Sequence, residues 1–400
     1  MLKPELLAPA GNLEKLKVAL TYGADAVYVG GKKFGLRAFG GNFSDEDLKN
    51  GVEFAHSMKR KIYVTVNIFA HNEDIEELPD YLKYLETIGV DAVLISDLGV
   101  FNLAKDLTKL ELHVSTQANI TNYKTVEVWQ NLGASRVVLA RELSQSEIIA
   151  IKKHCNIELE MFIHGAMCIS YSGRCYLSHY LTGRDGNQGQ CTHSCRWKYN
   201  LVEEKRPGEY FEVTEDENGS YVMNSKDLCL LPCLDKIIES GISSLKIEGR
   251  MKSVHYVAGV VKVYREAIDS YFNGDFKIRD EWLSELDKVA HRPYTTGFFV
   301  HDESGTEIYD TSKAKQSATF LGIVRNFDLT NNIATVEQRG KLEIGQHIEI
   351  LQPQNENFSQ LLTEITDEDG VAINSAPHAQ QIVKIKLSRP AQVWSLIRTF

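Results

Sequence analysis

The 400-residue chain has no run of about 18 uncharged apolar residues, so nothing in it reads as a membrane-spanning helix. Its opening, MLKPELLAPAGNLEKLK, lacks the basic stretch and apolar run of a secretory signal, and a cytoplasmic location is expected. Positive charge is in short supply: 44 Lys and Arg stand against 54 Asp and Glu, a formal charge of −10. That excludes a globally basic nucleic-acid binder, because phosphate contact relies on clustered cations, and leaves room only for a local basic groove. HExxH and GxSxG motifs are missing as well, which removes the common sequence signs of a protease, although nucleophile and base can be scattered along a chain.

What is present is sulfur, and it is clustered. Six of the seven cysteines fall between Cys168 and Cys233, at 168, 175, 191, 195, 229 and 233. In a reducing compartment such thiols are available to a soft metal rather than to disulfides.

Four segments repeat one pattern of amphipathic helix, glycine and short apolar run: 13–30, 78–96, 126–140 and 234–248. The glycines, Gly23, Gly89, Gly133 and Gly241, fit helix C-caps, where a left-handed backbone is cheap only without a Cβ. The runs after them are nearly continuous in apolar residues, as parallel strands buried on both faces should be. Further strands are expected at 6–8, 62–66, 112–115 and 159–163, and helices starting at the N-caps Ser44 and Ser144. Eight alternating βα units over some 250 residues point to a closed parallel (β/α) barrel of the TIM type, with an open doubly wound sheet as the alternative. The barrel domain is assigned to residues 1–310, with a cysteine-rich insertion at about 165–235. A small β-barrel domain is assigned to 316–400, where short alternating segments are split by turns at 329–332 and 367–370. A hairpin is expected around 217–220.

In a barrel of this kind the polar residues just after each strand face the active site. These are Asn67, Asp97, Ser115, Gln117, Asn119, Arg141, Glu142, His164, Glu248 and Arg250. Any one of them is ordinarily a loop-fixing group, but together they outline a site, and the forked donors of Arg141 and Arg250 suit a carboxylate or phosphate. Spacing does not name the metal. Cys191 with Cys195 and Cys229 with Cys233 could make a four-thiolate zinc site, whereas Cys168, Cys175, Cys191 and Cys229, with gaps of six, fifteen and thirty-seven, match no common zinc spacing and leave room for an iron-sulfur cluster held by distant loops. Cys233, next to Pro232 at the start of a helix, also reads as a packing residue, and Cys155 as structural. A nearby histidine, His164, His179 or His193, is more often a hydrogen-bonding neighbour than a ligand.

The run ELEMFIHGAMCISYSGRCYLS (158–178) resembles the signature of the collagenase-like peptidase family U32, as do RDGNQGQCTHSCRW (184–197), NSKDLC (224–229), SLKIEGRMKS (244–253) and LLAPAGN (6–12). The resemblance covers most of the first 300 residues. It implies, despite the family's name, oxygen-independent hydroxylation of RNA bases or quinone precursors, on a four-iron four-sulfur (4Fe-4S) cluster. Carried over by motif, the cluster ligands are Cys168, Cys175, Cys191 and Cys229, with Cys195 the substitute. The single short C-terminal extension is most similar to the branch that converts the wobble uridine of tRNA to 5-hydroxyuridine with prephenate as hydroxyl source. A tRNA anticodon region and prephenate are then the expected partners. His164, Arg141, Glu248 and Arg250 are the candidate catalytic residues, and Asn67 and Gln117 the candidate cofactor-binding ones. The C-terminal segment resembles the β-barrel modules of translation factors, and Arg325, Arg339, Lys341, Lys384 and Lys386 give it a candidate basic face for RNA, or merely scattered solvated charges. A collagenase-like peptidase and a non-catalytic, zinc-stapled RNA-binding protein are the alternative functions.

Overall fold

The computed structural model describes residues 2–36, 41–168, 170–197, 201–202, 210–211, 215–216, 219–220, 224–300, 307–308 and 314–400. Strands β1 (Glu5–Pro9), β2 (Ala26–Val29), β3 (Lys61–Val66), β4 (Ala92–Ile95), β5 (Glu111–Val114), β6 (Arg136–Val138), β7 (Glu158–Ala166) and β8 (Ser244–Ile247) pair in parallel in that order. Because β8 also pairs with β1, Glu5 opposite Ser244, the sheet closes into the expected barrel and is not open. Helices α1 (Leu13–Thr21), α2 (Asp45–Ser57), α3 (Asn72–Thr87), α4 (Leu98–Leu107), α5 (Tyr123–Leu132) and α6 (Gln145–His154) connect successive strands. A short helix, α7 (Leu177–Thr182), lies in the insertion, α8 (Leu234–Glu239) precedes β8, and α9 (Val254–Asn273) and α10 (Asp280–Asp287) follow it. The four repeat glycines have φ between +79° and +111°, the left-handed turn that passes each helix directly into a strand. Ser44 and Ser144 both close capping boxes, with Asp47 and Glu147.

The base of the lumen is ionic rather than aliphatic. Arg136 on β6 donates to Glu5 on β1 at 2.6 Å, to Glu160 on β7 at 3.1 Å and to Glu158 at 2.9 Å. Lys246 on β8 completes the set, 2.8 Å from Glu160, and Tyr63 on β3 donates to Glu5 at 2.6 Å. Burial alone would push the Glu160 carboxyl up, but Lys246 and Arg136 outweigh it and hold it down at about 2.

β7 is the longest barrel strand, and its end leaves the barrel. Asp227–Cys229 returns from the insertion to pair antiparallel with Ala166, Gly165 and His164, and Tyr294–Thr295 adds a parallel strand outside it. Both ends of the insertion are therefore tied to the same strand. Glu215–Asp216 and Gly219–Ser220 pair as an antiparallel hairpin; the intervening residues 217–218 lie outside the described residues.

Beyond the barrel, a seven-stranded antiparallel sheet curls into a half-barrel, in the order 358–361, 347–351, 396–399, 319–328, 333–338, 382–386, 365–366. It packs on α1, α9 and α10. Arg398 is fully buried, donating to both oxygens of Glu285 at 2.5 and 2.6 Å and to Glu349 at 2.6 Å. Lys262 on α9 caps the Gln352 and Asn355 carbonyls at 2.6 and 2.8 Å. The candidate basic face is partly consumed here. Arg325 and Arg339 both clasp Glu14 at the start of α1 and Glu337 beside them, Lys341 pairs with Glu343 at 2.9 Å, and Lys384 donates to the Glu368 carbonyl. Glu14 takes both arginines, so the barrel itself is the partner of that part of the face.

Replacing Arg398 with Met is expected to cost about 3–5 kcal/mol, because it strands Glu285 and Glu349 without their buried partner. Urea unfolding of the parent and the variant measures this, and a loss under 1 kcal/mol would show that the junction does not depend on the pair.

Candidate functional site

The C-terminal ends of the barrel strands open on one cavity of about 200 Å³, roofed by the insertion. Inward-facing strand residues form its floor: Tyr28 on β2, Thr65 on β3, Phe162 on β7 and Lys246 on β8. Asn67, Gln117, Arg141, Glu142, Glu248 and Arg250, each just past a strand end, form its walls.

Two guanidinium groups line this cavity in different settings. Arg250 is buried and donates to the Thr65 hydroxyl at 3.1 Å and the Asn42 side-chain oxygen at 2.8 Å. A Cβ at Gly30 would come within 2.4 Å of it, so only glycine there leaves room for the side chain. Arg141 lies 3.8 Å above the Phe162 ring, donates to the Ala166 carbonyl at 2.6 Å and stands 3.6 Å from Glu248. Tyr28 links its hydroxyl to the Ile247 carbonyl and to Glu248, at 3.0 and 3.3 Å. Asn67 donates to Ser115 at 2.9 Å, so this pair ties the loop after β3 to the loop after β5, across the end of β4. Gln117 serves the roof through its backbone, since Gly173 packs so closely that a Cβ would lie 2.2 Å from the Gln117 carbonyl oxygen.

The insertion is fastened over the mouth by polar contacts rather than by an apolar core. Glu142 accepts from the backbone and hydroxyl of Ser172 at 3.1 and 3.2 Å, and the Phe69 amide donates to the Asn187 carbonyl at 3.0 Å. Asn187 in turn donates to the Cys175 carbonyl at 3.2 Å. In this setting Cys168, Cys175, Cys191 and Cys195 all line the cavity. The Cys168 thiol hydrogen-bonds to Cys175, which lowers the pKa of Cys175 and, with desolvation, raises that of Cys168, so the pair holds one thiolate readily. The His193 amide donates to the Cys191 sulfur at 3.4 Å. Among the described residues no three His, Cys, Asp or Glu side chains already converge on a point in metal geometry.

The family model of peptidase family U32 matches residues 11–308, and that of the U32 C-terminal domain matches 316–398. The chain belongs to peptidase family U32. It is 46% identical to tRNA hydroxylation protein P1 of Bacillus subtilis, over 99% of this chain and 94% of that protein. With tRNA hydroxylation protein P of Escherichia coli it shares 38% identity over 94% of this chain and 92% of that one. The 23S rRNA 5-hydroxycytidine C2501 synthase of Escherichia coli is 35% identical over 75% of this chain and 46% of its own length.

Two residues expected at the mouth of this U32 protein stand elsewhere. His164 is a strand residue, not a loop residue, because β7 continues to Ala166. The β7–β8 register shifts between Phe162 and His164, and this bulge turns His164 away from the lumen that Glu160 and Phe162 face. It sits among Tyr256, Tyr264 and Tyr294, with Nδ1 3.3 Å from the Tyr264 hydroxyl. Cys229 pairs with His164 across the strap and is buried with its sulfur 3.9 Å from the same hydroxyl, so it does not reach the cavity, and Cys195 stands there instead. Cys233 is buried in the barrel core, and Cys155 is buried with its thiol directed at the Tyr123 carbonyl. Of the other polar candidates, Asp97 caps α4, and Asn119 takes a left-handed turn after β5. Tyr28, Thr65, Phe162, Lys246 and Ser172 were not picked out by their place after a strand, although an isolated Tyr, Thr or Lys inside an apolar strand is a sign of a lumen position.

No helix among the described residues is long and apolar enough to cross a membrane. Burial pushes the His164 imidazole from its ordinary 6.5 down to about 3, and burial with Arg398 pushes His255 down to about 4. Between those values and 6.5 the unfolded chain binds protons that the folded chain refuses, so stability is expected to rise with pH across that window and to be lost on acidification. Melting temperatures from pH 7 to pH 4 check this. His164→Phe should flatten the slope, and an unchanged slope would remove His164 as a source of it.

Proposed function

We propose that this chain is an RNA-modifying enzyme that converts the wobble uridine in the anticodon region of tRNA to 5-hydroxyuridine without molecular oxygen, using an iron-sulfur cluster and prephenate as the hydroxyl source. The observation that carries this reading is the meeting of four thiols and two arginines in one cavity at the barrel mouth, in a chain whose near-full-length relatives are named tRNA hydroxylation proteins.

The donor set fits a 4Fe-4S cluster: four sulfurs, carried by separate turns of one insertion, match its preference for thiolates. Cys168, Cys175, Cys191 and Cys195 would hold it, and when bound it supplies a redox-active iron centre beside the substrate. The remaining steps belong to the protein's own side chains. Arg141 and Arg250 offer forked donors to the two carboxylates of prephenate. Glu248 and the Phe162 ring keep the Arg141 guanidinium in place, while Thr65 and Asn42 do so for Arg250. The insertion excludes water from above, strengthening each of these charge contacts. Hydrolysis of peptides has less support, since His164 is neutral and faces away from the mouth.

Anaerobically purified protein is expected to be brown, with iron and sulfide, and Cys195→Ser should lose most of this colour while Cys229→Ser keeps it. Colourless protein with stoichiometric zinc would overturn the cluster, and the opposite ranking of the two variants would return the fourth ligand to Cys229. Mass spectrometry of tRNA nucleosides from a deletion strain tests the activity: 5-hydroxyuridine derivatives should disappear and return with the parent gene. Arg141→Lys or Arg250→Lys should restore them ~10-fold less efficiently or worse, because a lysine lacks the forked donor. Unchanged nucleosides in a strain lacking this gene and any paralogue would sink the reading.

A further inference from the structure

The segment that roofs the cavity carries an unusual surface. Tyr171, Tyr176, Tyr180 and Trp197 are 61%, 63%, 76% and 44% exposed. Among the described residues the other exposed large aromatics are Phe298 and Phe400, so most of the described ones lie in this one short stretch. Single exposed aromatics are ordinary, but four in the one segment whose intervening residues line the cavity are a concentration of apolar surface that water solvates poorly. The Tyr176 ring already stacks on His179 with centroids 4.9 Å apart, and α7, which carries Tyr176's neighbours and Tyr180, packs against the turn Ser194–Arg196 that leads into Trp197.

Cations accompany the rings. Arg174 is exposed between Tyr171 and Tyr176. Arg196, Lys252 and Arg292 come from three separate parts of the chain and stand close enough to weigh on one another's charge, Arg196 and Arg292 also on Cys195. Asp227 pairs with Lys252 and Arg292 at 3.7 and 3.4 Å, so the three cations keep a positive surplus, on a chain whose formal charge is −10. Aromatic faces interleaved with such a surplus are what an unpaired nucleic-acid strand requires: rings take up bases without regard to sequence, and guanidinium and ammonium groups take up phosphates.

We propose that the cysteine-rich roof is a landing surface for single-stranded RNA, in which Tyr171, Tyr176, Tyr180 and Trp197 stack bases flanking the one that enters the cavity, while Arg174 and the Arg196, Lys252 and Arg292 cluster hold the backbone. This rests on the reading of the chain as an RNA-modifying enzyme and moves the RNA contact from the C-terminal half-barrel to the insertion. The surface suits an unpaired loop, because chemistry on a base requires that base to leave its stack.

The test is fluorescence anisotropy of a labelled anticodon stem-loop RNA, and of a blunt duplex of equal length, with the full-length protein purified anaerobically. The stem-loop is expected to bind more tightly than the duplex. Tyr176→Ala with Tyr180→Ala should weaken stem-loop binding ~10-fold or more, with iron content and melting temperature unchanged, and Tyr176→Phe with Tyr180→Phe should restore it. Arg174→Glu should weaken binding and reduce its salt dependence. Equal binding by the parent and the double alanine variant, or no preference over the duplex, overturns the proposal and leaves the aromatic face to a protein partner. The outcome is separable from the chemistry: loss of binding in these variants supports the surface even where nucleosides in the deletion strain are unchanged, and intact binding overturns it even where they disappear.

Discussion

A carboxylate sealed from water must be paired, and the burial of Glu160 between Arg136 and Lys246 is the constraint around which the barrel is organised. Removing any one of the three leaves charge in a space with no solvent to compensate it. Through Glu5 and Tyr63 the same network reaches β1 and β3, so five of the eight strands meet at one electrostatic knot. Lys246 has a second role. Its stem passes the rings of Tyr28 and Phe162, and it is also part of the floor of the cavity, so the support of the barrel and the base of the site are one side chain. An ionic lumen holds the mouth, and the two arginines that line it, at a fixed geometry.

The barrel was legible in the sequence because its signals are local. A strand covered on both faces must be apolar nearly throughout, and a helix that passes at once into such a strand needs glycine at its end; Val27 to Val29 after Gly23 and Val93 to Ile95 after Gly89 show both. The arginines were legible for a related reason, since a polar residue directly after such a strand has little else to face than the mouth. Arg141 and Arg250 follow that rule.

What sequence did not convey depends on events across strands. Alternation along β7 places Glu160 and Phe162 in the lumen and would place His164 there too, but the shift against β8 adds one residue and reverses the sense. No property of the residues at 162–164 announces it. The position of Cys229 was hidden for a similar reason: only the antiparallel return of Asp227–Cys229 onto the outer part of β7 sets its sulfur beside Tyr264, while Cys195 lines the cavity. Arg325 and Arg339 looked available for RNA because their partner, Glu14, lies more than 300 residues away in the chain.

The strap formed by Asp227–Cys229 on His164–Ala166 also changes the entropy of the insertion. A loop of this length, free at one end, would spend most of its time away from the mouth. With both ends paired to the same strand the closure cost is met by backbone hydrogen bonds, and what remains for the thiols is a search through a small volume. Their effective concentration about one another is therefore set by the fold, and the thiols stay confined to the mouth with or without a ligand between them.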